Sequence, residues 1–143
     1  MLEIKSSSSL ESLIYTDALA IRKEVFVVEQ GVSLELELED EKGPVYFTGY
    51  LNDLPVATAR VSEEKPGVWH IQRVAVKKAY RKQGLASQLL TAIETKAKAN
   101  GIHTLTLGAQ DQAQTFYKKL GYHIVGTGFL DAGIKHHRMD KTI

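Results

Sequence analysis

Val74-Ala75-Val76-Lys77-Lys78-Ala79-Tyr80-Arg81-Lys82-Gln83-Gly84-Leu85-Ala86-Ser87-Gln88-Leu89-Leu90 is the stretch on which the fold turns. It opens on a short apolar run suited to a buried strand and crosses a basic segment to Gly84. It then continues with Leu85, Leu89, Ala92 and Ile93 at helical spacing. A strand therefore feeds through a short loop into a helix. At the start of that helix the N–H groups of Gln83, Gly84, Leu85 and Ala86 have no carbonyl one turn back, and the positive end of the aligned peptide dipoles lies behind them. Such a terminus is an anion site, and phosphate is its usual occupant. Gly84 lets the backbone come close to a ligand, the small Ala86 leaves room beside it, and Lys77, Lys78, Arg81 and Lys82 add positive charge.

Upstream, Val68 to Val76 reads as the third strand of an antiparallel set. The first two are Val45 to Leu51 and Val56 to Val61, joined by turns at Asn52-Asp53-Leu54-Pro55 and Lys65-Pro66-Gly67. Nearer the N-terminus, Leu2-Glu3-Ile4 alternates as a first edge strand, and Ser6 to Ser9 supply a polar turn with a candidate helix cap. Apolar residues then recur at three and four from Leu10 to about Val28, predicting helix in one or two pieces that Glu29-Gln30-Gly31 ends. Downstream, the helix from Gly84 stops at Asn100-Gly101, and Ile102 to Leu107 alternates as a strand. Asp111 is placed to cap a helix running to Leu120, with strands expected at Tyr122 to Val125 and His136 to Lys141. Hairpins followed by two strand-helix units predict one α/β domain over residues 1–143. Its expected form is a mixed, mainly antiparallel twisted sheet flanked by helices on both faces.

The run Leu34-Glu35-Leu36-Glu37-Leu38-Glu39-Asp40-Glu41 alternates strictly and has two readings. In one it is a loop or short extended piece that lays leucines on the core and leaves glutamates in water. In the other it is an acidic lip that attracts a cationic amine.

The chain has 143 residues, of which 43% are hydrophobic, enough for one packed core. A formal charge of +1 gives no global field for nucleic acid or for a membrane surface, so electrostatic recognition must be local. The lack of cysteine excludes a disulfide scaffold, a cysteine nucleophile and thiolate metal sites. The five histidines, among them the adjacent His136 and His137, show no metal-ligand spacing, so no metal is expected. No apolar run is long enough to span a bilayer, and no basic start precedes an apolar segment, which points to the cytoplasm.

Arg81-x-x-Gly84-x-Ala86, directly after Val74-Ala75-Val76, resembles the acetyl-coenzyme A signature Q/R-x-x-G-x-G/A of the GNAT superfamily of N-acetyltransferases. The segment Ala113-Gln114-Thr115-Phe116-Tyr117-Lys118-Lys119-Leu120-Gly121-Tyr122 resembles a second signature of that family. Arg22-x-x-Val25-Phe26-Val27-x-Glu29-Gln30 and Phe129-Leu130-Asp131-Ala132-Gly133-Ile134-x-His136 are similar to segments of a small bacterial subgroup of unassigned substrate. The resemblance covers most of the chain and implies the GNAT acyltransferase fold with acetyl-CoA as cosubstrate. It implies that Arg81, Lys82, Gln83, Gly84, Leu85 and Ala86 meet the diphosphate, and that Val74, Ala75 and Val76 line the pantetheine arm. Phe116 and Tyr117 then close the site, with Tyr117 protonating the departing thiolate. One departure stands out: where the family carries asparagine, this chain has Gln110, which offers the same amide one methylene further out. A homodimer is among the assemblies that the family implies.

Transfer from a thioester to an amine needs an unprotonated nucleophile. With an ammonium pKa near 10.4, only about one amine in a thousand is reactive at pH 7, so a base helps. In several GNAT enzymes a glutamate stands six residues before the strand's last valine, and His70 holds that place here. A neutral imidazole can take the proton, or His70 is simply a half-exposed strand residue. The expected activity is N-acetylation of a primary amine on a small molecule or protein. The competing reading is a noncatalytic acyl-CoA-binding or interaction domain, which Tyr117 disfavours. A P-loop is excluded because no Gly-Lys-Ser/Thr follows Gly84.

Overall fold

The computed structural model describes residues 2–143 and arranges them about one seven-stranded sheet. The strands are β1 (Glu3–Ser7), β2 (Val45–Leu51), β3 (Leu54–Lys65), β4 (Val68–Val76), β5 (Thr104–Gln110), β6 (His123–Asp131) and β7 (Ile134–Thr142). Their order is β1-β2-β3-β4-β5-β7-β6, and only β4 and β5 run parallel. The helices are α1 (Leu13–Arg22), the short α2 (Leu34–Glu37), α3 (Leu85–Ala99) and α4 (Gln114–Lys119), with a π-helix at Lys23–Glu29 continuing α1.

Strand alternation assigns each helix its face. Phe47, Ala57, Ala59, Val61 and Ile71 turn to one side and bury Leu85, Leu89 and Ile93 of α3. The other side receives α1: Ala75 packs on Ile21 and Val25, and Thr48 Oγ1 donates to the Ile14 carbonyl at 2.9 Å. The mixed, mainly antiparallel sheet with helices on both faces is thus the architecture the pattern predicted. Among the described residues no helix is long and apolar enough to cross a membrane.

Four local expectations are corrected. Ser12 is the cap of α1, its hydroxyl accepting from Tyr15 N–H at 3.1 Å, so the helix starts at Leu13 while Ser6 and Ser7 belong to β1. Asp111 does not cap α4. It opens a 3-10 turn and spends its carboxylate on His137 Nδ1 at 2.7 Å and Gln114 Nε2 at 3.1 Å. β7 begins at Ile134, and β6 runs on to Asp131. The leucine–glutamate run is neither extended nor apolar-side-in. Ser33 caps a helical turn there, Leu34, Leu36 and Leu38 are exposed, and Glu37 is buried.

The reason for that inversion is a buried guanidinium. Arg22, with none of its side chain exposed, donates from Nε to Glu37 at 2.7 Å and from Nη1 to Glu41 at 2.8 Å. Its Nη2 also donates to the Glu37 carbonyl at 2.6 Å. Arg60 Nη1 reaches the second Glu41 oxygen at 2.7 Å, Tyr15 Oη donates to Glu41 at 2.9 Å, and Arg73 Nε lies 3.2 Å from Glu37. Charges this deep must be compensated, and the bonds that Glu37 and Glu41 make to Arg22, Arg60 and Tyr15 outweigh the apolar gain of turning leucines inward. Burial alone would raise the Glu41 pKa, but hydrogen bonds from Arg22 and Tyr15 and the nearby Arg60 charge hold it below the usual carboxylate range.

Arg22→Met leaves two carboxylates under-compensated and should cost about 3–5 kcal/mol in denaturant unfolding. Because the folded pKa of Glu41 lies below its unfolded value, its contribution is present above the unfolded value of about 4.3 and is lost as pH falls through the folded one. Glu41→Gln should therefore be less stable at neutral pH and lose less stability than the parent on acidification.

Candidate functional site

The site begins where β4 and β5 part. Their parallel ladder covers only Val68–Ile71 against Thr104–Leu107. Beyond it β4 stays with β3, and β5 stays with β7 out to Gln110. A bulge drives the parting. Thr58 pairs with Ala75 and Arg60 with Gln72, so Arg73 and Val74 together oppose Ala59. Arg73 sits at φ +57°, a left-handed conformation, while its side chain is held by Glu37 and by the Leu36 carbonyl at 3.3 Å. From Gln72 to Val76 the β4 edge toward β5 consequently faces a gap rather than a strand.

At the end of β4 the chain makes a 3-10 turn at Lys78–Tyr80 and bends through Lys82 at φ +64° and Gly84 at φ +75° into α3. Gly84 precedes the first helical residue, and a Cβ placed on it would meet nothing within 4 Å. The turn thus leaves open space in front of the first amides of a four-turn helix, the arrangement that favours an anion. Val76, Tyr80, Arg81, Lys82, Gly84, Leu85, Ala86, Ser87 and Phe116 line one cavity of about 350 Å³. Of the residues singled out from sequence, Val76, Arg81, Lys82, Gly84, Leu85, Ala86 and Phe116 come together here, and Tyr80 and Ser87 join them.

The others stand around it. Val74 lies at the bulge, and the Ala75 side chain turns away to the α1 face. Gln83 is exposed on the loop. Gln110 ends β5, its Nε2 donating to Gln30 Oε1 at 3.1 Å. Tyr117 is buried in edge-to-face contact with Phe116 and Tyr122, and burial pushes its hydroxyl pKa up to about 12. His70 lies outside the cavity. It lines a separate groove of about 640 Å³ together with Asp40, Lys42, Ser62, Glu63 and Gln72, its Nδ1 3.9 Å from Glu64. Burial lowers its pKa below 6.5, with Arg138 and Arg60 acting the same way against Glu64 and Asp140. Asp40 of the acidic run lines this groove, whereas the two acids that are paired inside the protein are Glu37 and Glu41.

Arg81 adds less free charge to the loop than its sequence position suggests. Its Nη1 and Nη2 donate to the two Glu29 oxygens at 2.6 and 2.7 Å, and its Nε donates to the Val76 carbonyl at 2.9 Å. Sequence reasoning matched Arg22, Glu29 and Gln30 without giving them partners. For the first there was no local signal: α2 ends at Glu37, and the chain turns through Asp40 at φ +56° before Glu41 reaches Arg22.

Comparison with known proteins assigns the sequence and the fold to a family. The family model described as an acetyltransferase (GNAT) domain matches residues 14–143. An uncharacterized N-acetyltransferase of Bacillus subtilis, YjcF, is 38% identical over 127 residues, covering 87% of this chain and 90% of the relative. The crystal structure of Escherichia coli ElaA superimposes with a TM-score of 0.84 at 28% identity, covering 99% of both chains. A GNAT acetyltransferase from Elizabethkingia anophelis, solved with acetyl-CoA bound, shares the fold at a TM-score of 0.76 and 16% identity, covering 99% of this chain and 98% of that one. With the family model matched across most of its length, the chain belongs to the GNAT family of acetyltransferases and is an acyltransferase.

Proposed function

We propose that this acyltransferase moves an acetyl group from acetyl-CoA to a primary amine, of a small molecule or a protein, by direct attack within a ternary complex. The observation that carries the reading is the cavity at the N-terminus of α3, which opens beside the unpaired edge of β4. The residues present fit a diphosphate followed by a narrow apolar arm. Amides from Gln83 to Ala86 and the Lys82 side chain meet the phosphates. Val74, Ala75 and Val76 offer backbone groups to the arm, as an added strand would, and Leu85 and Phe116 supply apolar walls. Gln110 at the end of β5 offers an amide from the opposite bank.

In the reaction the amine lone pair attacks the thioester carbonyl carbon, a proton leaves nitrogen, and the C–S bond breaks with its electron pair on sulfur. His70 receives the proton, directly or through water, because a lowered pKa keeps its imidazole neutral at pH 7. Tyr117 donates to the sulfur. A hydroxyl with a pKa of about 12 is fully protonated at pH 7, yet it sits well above an ordinary thiol at about 8.5, so hydrogen bonding to the developing thiolate precedes full proton transfer. Most of the rate comes from fixing donor and acceptor side by side along β4, which can contribute about 7–11 kcal/mol. The acceptor approaches along the groove that His70 and Asp40 line, where the carboxylates of Asp40 and Glu63, set against the one ammonium of Lys42, favour a cationic amine.

Calorimetry with coenzyme A and thiol release from acetyl-CoA over an amine panel test the reading, and no association with coenzyme A would sink it. Gly84→Ala forces a side chain into a left-handed position at a cost of roughly 1 kcal/mol. Its methyl group also enters the space before the amides, so coenzyme A affinity should fall about tenfold or more. Tyr117→Phe should lower kcat about 10²-fold with little change in coenzyme A affinity. The acid limb of kcat/KM should have its midpoint below 6.5, since the base acts when neutral. His70→Gln should remove that limb, and an unchanged rate and profile would place the base elsewhere.

A further inference from the structure

Glu29 and Gln30 close the π-helix, and their side chains part to opposite banks of the gap between β4 and β5. Glu29 grips Arg81 with both oxygens, on the phosphate-loop side beyond the end of β4. Gln30 accepts from Gln110 at the end of β5. The π winding sets the direction in which this pair leaves the helix: Gln30 N–H bonds the Val25 carbonyl at 3.1 Å, five residues back, and Val32 N–H bonds the Phe26 carbonyl at 2.8 Å. Runs of π-helix are rare and collect at functional positions. Here the run delivers two adjacent polar side chains astride the opening.

On the β5 bank the consequence is specific to Gln110. Its Oε1 accepts from Gln112 Nε2 while its Nε2 donates to Gln30, which leaves the amide one N–H and one lone pair to spare. A glutamine has one more rotatable bond than an asparagine and loses more freedom when it is held. The two neighbouring glutamines hold it before any ligand arrives. On the β4 bank Arg81 is likewise committed, so at the cavity wall its guanidinium steadies the loop.

We propose that Glu29 and Gln30 are positioning residues for the acyl donor: Glu29 fixes the phosphate loop through Arg81, and Gln30 fixes the Gln110 amide where the pantetheine arm passes. This rests on the donor reading above. The test is calorimetric affinity for two probes, coenzyme A and its nucleotide half, 3′-phosphoadenosine 5′-diphosphate, which has the phosphates but no arm. Gln30→Ala should weaken coenzyme A about five- to tenfold and leave the nucleotide half unchanged, the size of one lost hydrogen bond. Gln30→Glu keeps the accepting oxygen and should retain most of the affinity. In a Gln110→Ala background Gln30→Ala should add nothing, because the two act through one contact. Glu29→Gln should weaken both probes alike. Equal losses on both probes for Gln30→Ala, no loss on either, or additivity with Gln110→Ala overturns the inference. A parent protein that binds neither probe overturns the donor reading itself, and this inference with it.

Discussion

Everything about the site follows from β4 and β5 ceasing to pair after Ile71 and Leu107. A parallel pair that stayed together would bury its ladder and leave no edge to offer. The separation has a local origin, since the extra residue in β4 opposite Ala59 bends the strand and increases its twist. It also has a cost, because Arg73 must adopt a left-handed backbone that non-glycine residues avoid by roughly 1–2 kcal/mol. Glu37 and the Leu36 carbonyl hold the side chain of that strained residue. Glu37 is itself held by Arg22.

The buried ionic network is therefore more than a stabilising contact between helices. Arg22 and Glu37 connect α1 and α2 to the bulge, and Glu41 connects them to Arg60 on β3. Replacing such a cluster by apolar side chains often leaves stability unchanged or improved, so stability alone is a weak reason for it. Its geometric effect is to fix one face of β4 while the other edge stays open. At the far end of the same helical segment, Glu29 and Gln30 touch the loop after β4 and the end of β5. One continuous helix from Leu13 to Glu29 thus props the gap at its base and spans it at its mouth.

The parts of this arrangement that are local in the chain were legible in the sequence. The strand Val68–Val76, the turn at Gly84 and the helix to Ala99 fall where periodicity and glycine placed them, because strand, loop and helix N-terminus are decided by neighbouring residues. Leu34 to Glu41 was misread because strict alternation is a strand signal, whereas the fold there answers to a guanidinium far away in sequence. Asp111 is a sound cap by type, but His137, on a strand not yet formed when the chain is read in order, takes its carboxylate. Arg81 and Gln110 follow the same rule. Their partners lie 52 and 80 residues away, and no local pattern encodes such a pairing.

Burial acts on the two proposed proton-transfer groups in opposite directions on the pKa scale and to one chemical end. Removing water penalises the charged form of any group, so it raises a phenol and lowers an imidazole. Tyr117, against Phe116 and Tyr122, is kept as the protonated donor. His70, desolvated in the groove with Arg138 and Arg60 near it, is kept as the neutral acceptor. Neither needs a dedicated charged partner to hold it in the form the proposed reaction uses at pH 7. The two conditions lie on opposite faces of the sheet: α4 places Tyr117 in the core cluster that holds Ile71, and alternation along β4 turns His70, like Gln72, to the groove. An acid and a base on opposite faces of a sheet can serve one bond only where the sheet is open, and the gap beside β4 is that opening.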